Sequence, residues 1–210
     1  MKYGSATRSY DQKARALSAE ATGARITAAF LDRLMKDWYD EITLDLVAQD
    51  AEVTVQTVVR RFGGKEGLLA KAVEMLGEQV TARRQAPSDR LEQIVDKVIE
   101  DYEYIGDTII RLLSLELRQP ALKRFLDFGR SEHRKWTAKA FAKPLAALNS
   151  SDRTRVLDAL IINTDVYTWK LLRRDMGRSV PATATIMKTL IQGTINQITK
   201  QNHSNKQTQN

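Results

Sequence analysis

The sequence predicts an all-α protein. Apolar residues recur at three- and four-residue spacing in almost every segment, and capping residues, Gly and Pro punctuate those segments. The one stretch that alternates like a strand has no convincing partner, and an isolated strand leaves its backbone groups unpaired.

Residues 1–20 read as a flexible basic N-terminal arm. Ile26, Ala29, Phe30 and Leu34 then share one helical face, with Arg25, Asp32, Arg33 and Lys36 around it, which gives a first helix. Thr43 is a good N-cap for a two-turn helix carrying Leu44, Leu46, Val47 and Ala48. Ala51–Val53 form a tight connection, and Thr54 caps a third helix that runs to Phe62 and is stopped by Gly63 and Gly64. "VTVQTVV" also alternates like a strand, with Val53, Val55, Thr57 and Val59 on one side. These helices make a unit over 21–64. Lys65 starts a connecting helix over 65–86, with Leu68, Leu69, Ala72 and Leu76 as its apolar stripe.

Longer helices are expected over 87–200. Ser88 caps one in which Leu91, Ile94, Val95, Val98 and Ile99 are in step, Asp107 opens another, and Pro120 restarts the chain at a first helical position. Pro144 suggests a break. A Ser or Asp caps the helix near Asp152, whose run Val156, Leu157, Ala159, Leu160, Ile161 and Ile162 is too wide for one face, so both its sides are expected to be covered. A last helix follows Pro181, and 201–210 read as a disordered polar tail.

Composition narrows the function. The chain is 42% hydrophobic and 28% charged, ordinary for a soluble globular protein. No run approaches the roughly 18 apolar residues of a membrane span, and the N-terminus lacks the apolar centre of a secretory signal, so a cytoplasmic protein with no membrane partner is expected. With no cysteine and two histidines, one of them in the tail, no metal and no cofactor are expected. There is no G-x-S-x-G, phosphate loop or H-E-x-x-H, so no enzyme is expected. The net charge is +7, but residues 1–86 hold 13 Lys+Arg against 12 Asp+Glu, while 87–210 hold 20 against 14. Bulk charge therefore does not make a case for nucleic acid, and local arrangement must.

Two short helices joined by a tight turn describe a helix-turn-helix. With Val58, Phe62 and Val53 as its buried side, Gln56 and Arg60 point outward at about 100° per residue, Thr57 lies beside them, and Val55, Val59 and Arg61 flank. Gln reads adenine edges, Arg pairs with guanine or phosphate, and a Val methyl packs on a thymine methyl. Thr54, Thr57 and Lys65 suit phosphates, helped by backbone amides at helix starts. An ordinary helical subdomain with arginines on a solvated face has the same periodicity.

From Arg25 to about Leu76 the chain resembles the N-terminal domain of the TetR family of transcriptional regulators. The resemblance lies in the Ala28-Ala29 pair, "YDEITLDLVAQDAEVTVQTVVRRF" and the closing "GGKEGLL". It implies a three-helix helix-turn-helix domain in which Thr54–Phe62 reads DNA and the helix after Thr43 supports it and touches backbone. It also implies a connecting helix and a larger helical domain that binds a small-molecule effector and dimerises through its last two helices. The expected DNA contacts are Thr43, Thr54, Val55, Gln56, Thr57, Val59, Arg60, Arg61 and Lys65. Trp38 and Glu52 stand where the family usually has Gly, and a left-handed Glu costs about 1 kcal/mol. Val59 replaces the usual Tyr and removes a phosphate contact, for which Arg60 and Arg61 are candidate compensation. Gly64 replaces a capping Ser or Asn, at little expected loss.

"GRSEHRKWTAKAFA" (Gly129–Ala142) resembles a segment of many family members but names no ligand. Glu116, His133, Trp136, Asn163 and Tyr167 are candidate pocket residues, though the same types serve as surface or packing residues. The basic set Arg130, Arg134, Lys135, Lys139, Arg173, Arg174 and Arg178 suits either an anionic ligand or a solvated face, and reads as the solvated face. Leu157, Ile161, Met187, Leu190, Ile191 and Ile198 are the candidate homodimer interface, a two-fold arrangement of four helices. The expected function is a ligand-responsive regulator, a repressor and not an activator, that binds a palindromic double-stranded DNA operator as a homodimer and is released by a small molecule in its C-terminal domain. The competing expectation is a non-enzymatic helical interaction module or a basic surface-binding protein.

Overall fold

A 32-residue helix, α1 (Ser5–Lys36), opens the computed structural model, which describes residues 5–85 and 90–207, with side chains over 12, 15–85 and 90–197. Residues 5–20, expected as part of a flexible arm, continue this helix. No Gly or Pro interrupts them, and Ala, Arg, Lys, Gln and Glu favour helix without needing a buried face. Residues 15–21 are all exposed, so periodicity had nothing to reveal there.

Three short elements follow: α2 (Leu44–Asp50), α3 (Val55–Phe62) and α4 (Lys65–Arg83). The Leu46 N–H donates to the Thr43 hydroxyl at 3.3 Å and the Thr57 N–H to the Thr54 hydroxyl at 3.2 Å, so both expected N-caps form. The strand alternative for 53–59 fails, since Val55–Phe62 is helical. Ile26, Phe30, Leu34, Ile42, Val47, Val58, Leu68 and Ala72 are buried in the core of this unit. Arg33 of α1 clamps Asp50 at the end of α2 through Nε and Nη2 at 2.5 and 2.9 Å, an interhelical fork at a partly exposed site.

The exit from α3 depends on glycine. Gly63 is left-handed at φ 76° and Gly64 sits at φ 132°, a conformation that side chains rarely adopt. Gly64 thus holds a conformation in which a capping Ser or Asn would be strained, and the glycine itself meets no penalty there. A Cβ on Gly67 would lie 1.8 Å from the Phe62 carbonyl oxygen, so α4 begins against the backbone of α3.

The chain divides into two compact units, 1–76 and 77–210, with the division inside α4. The second contains α5 (Leu91–Leu115), α6 (Pro120–Ala140), α7 (Ala142–Ala146), α8 (Ser150–Thr164), α9 (Val166–Lys170) with a π-helical continuation over Leu171–Asp175, and α10 (Val180–Gln207). Its core includes Val95, Val98, Leu160, Trp169, Met187 and Ile191. No strand occurs among the described residues.

Several expectations change here. Ser88 lies outside the described residues, and Asp107 opens no new helix because α5 runs through it. Gly106 is a packing glycine: a Cβ there would sit 2.5 Å from the Trp169 ring. Asn149 caps α8, accepting the Asp152 N–H at 2.9 Å and donating to the Asp152 carboxylate at 2.8 Å. Ile162 is 64% exposed, so the wide apolar run of α8 is not covered on every side. The expected tail is helical as far as Gln207, and 208–210 lie outside the described residues. Pro120 and Pro144 act as expected, the first at the start of α6 and the second in the short α7 that follows a break at Phe141.

Gly67→Ala must push α3 and α4 apart, because its methyl group meets backbone and not a flexible side chain. A loss of about 2 kcal/mol or more is expected, read as a fall of several degrees in thermal midpoint. An unchanged midpoint would show that this helix junction yields without cost.

Candidate nucleic-acid interface

Val58 is fully buried and Phe62 and Val53 half-buried, which fixes the rotation of α3. Gln56, Arg60 and Arg61 are exposed, Val55 and Thr57 are half-buried, and Val59 is 43% exposed. The outward face is thus the one expected from the 3.6-residue period. The Thr54 and Thr57 hydroxyls are 3.0 Å apart and bonded to each other, while Thr43 is an exposed cap on α2. Both caps hold the starts of their helices and leave hydroxyl lone pairs at the surface.

Lys65 departs from its expected phosphate role. Its ammonium donates to the Tyr39 carbonyl and lies 4.2 Å from the Tyr39 ring centroid. Partial burial lowers its pKa, against the opposing pull of Asp40. Lys65 therefore ties the start of α4 to the loop before α2. Sequence reasoning also missed Arg15, Ser18 and Thr22 of α1, which share a surface depression with Thr57, Arg60 and Arg61. Their spacing, three and then four residues, was the available signal.

The two positions that lack the expected glycine resolve differently. Glu52 is left-handed at φ 52°, the only non-glycine with positive φ among the described residues. Its N–H reaches the Gln49 carbonyl at 3.1 Å, and the Val53 N–H reaches Ala48 at 2.9 Å, which closes the turn between α2 and α3. Trp38 avoids that conformation. The Asp37 N–H ends α1 on the Arg33 carbonyl at 2.7 Å, and a following turn closes from Glu41 to Trp38 at 3.1 Å.

In the second unit, Asp101 is fully buried and receives Arg83 Nε on one carboxylate oxygen and Arg84 Nε on the other, each at 2.8 Å. Arg84 Nη1 lies 3.0 Å from His133 Nδ1, and His133 Nε2 lies 3.2 Å from the Thr164 hydroxyl. The Trp136 indole N–H donates to the Arg84 carbonyl at 3.1 Å, and the Tyr102 hydroxyl donates to the Thr164 carbonyl at 3.2 Å. His133 retains some exposed surface, but both ring nitrogens are bonded inside this cluster. Burial, reinforced by the Arg84 cation, lowers its pKa to about 3. Neutral His133 accepts from Arg84 at Nδ1 and carries its proton on Nε2, a tautomer assigned from the bonding partners.

His133 and Trp136 are the two candidate pocket residues that converge. Glu116 instead pairs with Arg130 at 2.6 Å, Asn163 donates to Thr194 at 3.0 Å, and Tyr167 is 58% exposed. Arg134, Arg173 and Arg174 pair with Asp158, Glu103 and Asp107, and of these Arg134 stands on the solvated face expected of the basic set while Arg173 is largely covered. Of the candidate interface, Met187 and Ile191 are fully buried within the chain's own core and have no surface to offer. Leu157 is half-buried against that core and Ile161 is half-buried, Leu190 is 44% exposed, and the side chain of Ile198 lies outside the described residues. Among the described residues no group of three His, Cys, Asp or Glu is placed to hold a metal, and no helix is long and apolar enough to cross a membrane.

No family model matches the chain, and no curated protein matches its sequence. Solved structures do match. A transcriptional regulator from Rhodococcus sp. Rha1 aligns over 83% of this chain and 96% of its own, at 12% identity and a TM-score of 0.65. A protein named as a transcriptional regulator of Pseudomonas aeruginosa PAO1 aligns over 84% and 91%, at 17% identity and a TM-score of 0.66. The chain has the fold of solved transcriptional regulators. A protein named as a fatty acid metabolism regulator of Clostridium perfringens aligns over 80% and 97%, at 16% identity and a TM-score of 0.52.

Glu52→Gly removes the left-handed penalty but adds chain entropy to the unfolded state, so a net gain of up to about 1 kcal/mol is expected by denaturant titration. A loss would mean that the Glu52 side chain supports the turn. For His133, the unfolded imidazole binds a proton near its ordinary pKa, whereas the folded one does not until about pH 3. Stability through this group is therefore present above about pH 6.5 and lost as pH falls toward 3. His133→Gln should flatten the pH 7 to 4.5 loss by about 2 kcal/mol, and equal slopes in the two proteins would show a solvated imidazole.

Proposed function

We propose that the chain is a TetR-family transcriptional regulator that acts in the cytoplasm as a homodimer on a palindromic operator. The observation that carries this reading is α3. A capped helix on a regulator fold is held by Val58 and directs Gln56 and Arg60 outward. Gln56 and Arg60 are assigned to base edges, with Thr57, Val55 and Val59 beside them. Thr43, Thr54 and Arg61 are assigned to phosphates. Two such helices meet half-sites about one helical turn apart or slightly more.

The exposed side of α8 and α10, where Ile162 and Leu190 stand at the surface, supports the dimer. Repression is by occupancy of the operator. A small molecule bound in the second unit, near His133 and Trp136, favours a dimer geometry whose helix spacing no longer fits, and weakens binding by its differential affinity for the two states. The function needs no catalytic step.

Selection of bound sequences from random DNA, with sedimentation of the same protein, tests the proposal. A palindromic consensus and a dimer at micromolar concentration are expected. Arg60→Ala should relax preference at one position per half-site, by about 1–3 kcal/mol if the contact is bidentate to guanine. A monomer that binds random DNA and anionic vesicles equally would favour a basic surface-binding protein.

A further inference from the structure

The N-terminal half of α1 has no core to explain it. No side chain described before Gly23 is buried, and Leu17 is 67% exposed. What this half does form is one wall of a depression of about 550 Å³ beside α3. Arg15, Ser18, Ala19 and Thr22 line it from α1, and Thr57, Arg60 and Arg61 from α3. Three arginines line one open space with Ser18, Thr22 and Thr57, of which the Thr22 hydroxyl donates to the Ser18 carbonyl at 2.9 Å and the Thr57 hydroxyl is bonded to Thr54, and no carboxylate is among its lining residues.

Most of the other interhelical arginines described above are matched with acids: Arg33 with Asp50, Arg83 and Arg84 with Asp101, Arg173 with Glu103 and Arg174 with Asp107. The depression gathers like charges, which repel unless an anion joins them. Arg61 is also set in place by shape. A Cβ on Gly23 would lie 2.4 Å from Arg61 Nε, so the bare backbone of α1 admits the guanidinium. Guanidinium forks match phosphate oxygens in pairs.

We infer that this depression is a phosphate site, and that its occupant is a backbone phosphate of the duplex read by α3. Thr57 and Arg60 belong both to the depression and to the reading face, which places the site at the edge of that face. Arg15 thereby adds a contact to the sugar-phosphate backbone outside the base pairs that α3 reads. The inference rests on the DNA-binding role proposed above.

The test uses the full chain and the duplex recovered by selection. Affinity is measured over a salt series for the native protein, Arg15→Ala and Arg15→Lys, on the full duplex and on one trimmed to the recognised base pairs. Arg15→Ala is expected to weaken binding to the full duplex by about tenfold and to reduce the salt slope by about one phosphate, with the preferred base sequence unchanged. Arg15→Lys should keep the slope and recover part of the affinity, and trimming should reduce the native protein toward the Ala variant. Unchanged affinity and slope in Arg15→Ala, or a changed base preference, would overturn the inference. Inorganic phosphate provides a separate arm. Stabilisation by phosphate that requires Arg15, with duplex affinity indifferent to Arg15, would make this a free-anion site and overturn the assignment to DNA. If the native protein selects no sequence, the proposed function fails first, a result distinct from loss of the Arg15 contribution alone.

Discussion

The second unit depends on a carboxylate buried beneath two guanidinium groups. Asp101 accepts from Arg83 and Arg84, and through Arg84 the network reaches His133 and Trp136 of α6, Tyr102 of α5 and Thr164 of α8. Charges removed from water need close partners, which Asp101 has on both oxygens, while Arg83 Nη2 is buried without a hydrogen bond. Four segments are therefore held in mutual register by bonds that a purely apolar core would not specify. Apolar packing fills the surrounding volume, while the polar cluster selects one arrangement of it.

The first unit meets a different constraint. Helices as short as α2 and α3 are marginal in isolation, since nucleating a helix costs more than a few intrahelical bonds return. Thr43 and Thr54 supply missing partners at the helix starts, and Gly63 turns the chain at the end of α3. Arg33 holds the far end of α2 to α1, and Lys65 holds the start of α4 to the loop at Tyr39. With the ends fixed, Val58 anchors α3 while its opposite face keeps its polar groups in solvent.

Local features were legible in the sequence. The two threonine caps, the glycine stop and the inward Val58 each follow from a residue's own chemistry or from helical spacing, while the strained Glu52 was visible only through the family resemblance, which puts Gly at that position. Features set by distant partners were not. Asp107 looked like a helix start, whereas α5 runs on through it and the preceding Gly106 makes room for Trp169, which lies far along the chain. Lys65 looked free because nothing nearby in sequence announces the Tyr39 carbonyl. Met187 and Ile191 had the pattern of an interface, but spacing alone does not say whether an apolar stripe faces its own core or a second chain. The early part of α1 failed for another reason: it is helical by propensity, without the one-sided apolar stripe that identifies most helices.

His133 has one further consequence. An imidazole ordinarily changes charge near neutrality, which makes it the common sensor of cellular acidity. Here burial and the neighbouring guanidinium move that change to about pH 3. Modest acidification leaves this ring uncharged in the folded protein and its bonds to Arg84 and Thr164 intact. Each step of acidification below neutrality therefore favours the unfolded chain, whose free imidazole takes the proton that the folded ring refuses, so this buried ring sets a lower limit on the pH at which the second unit keeps its full stability.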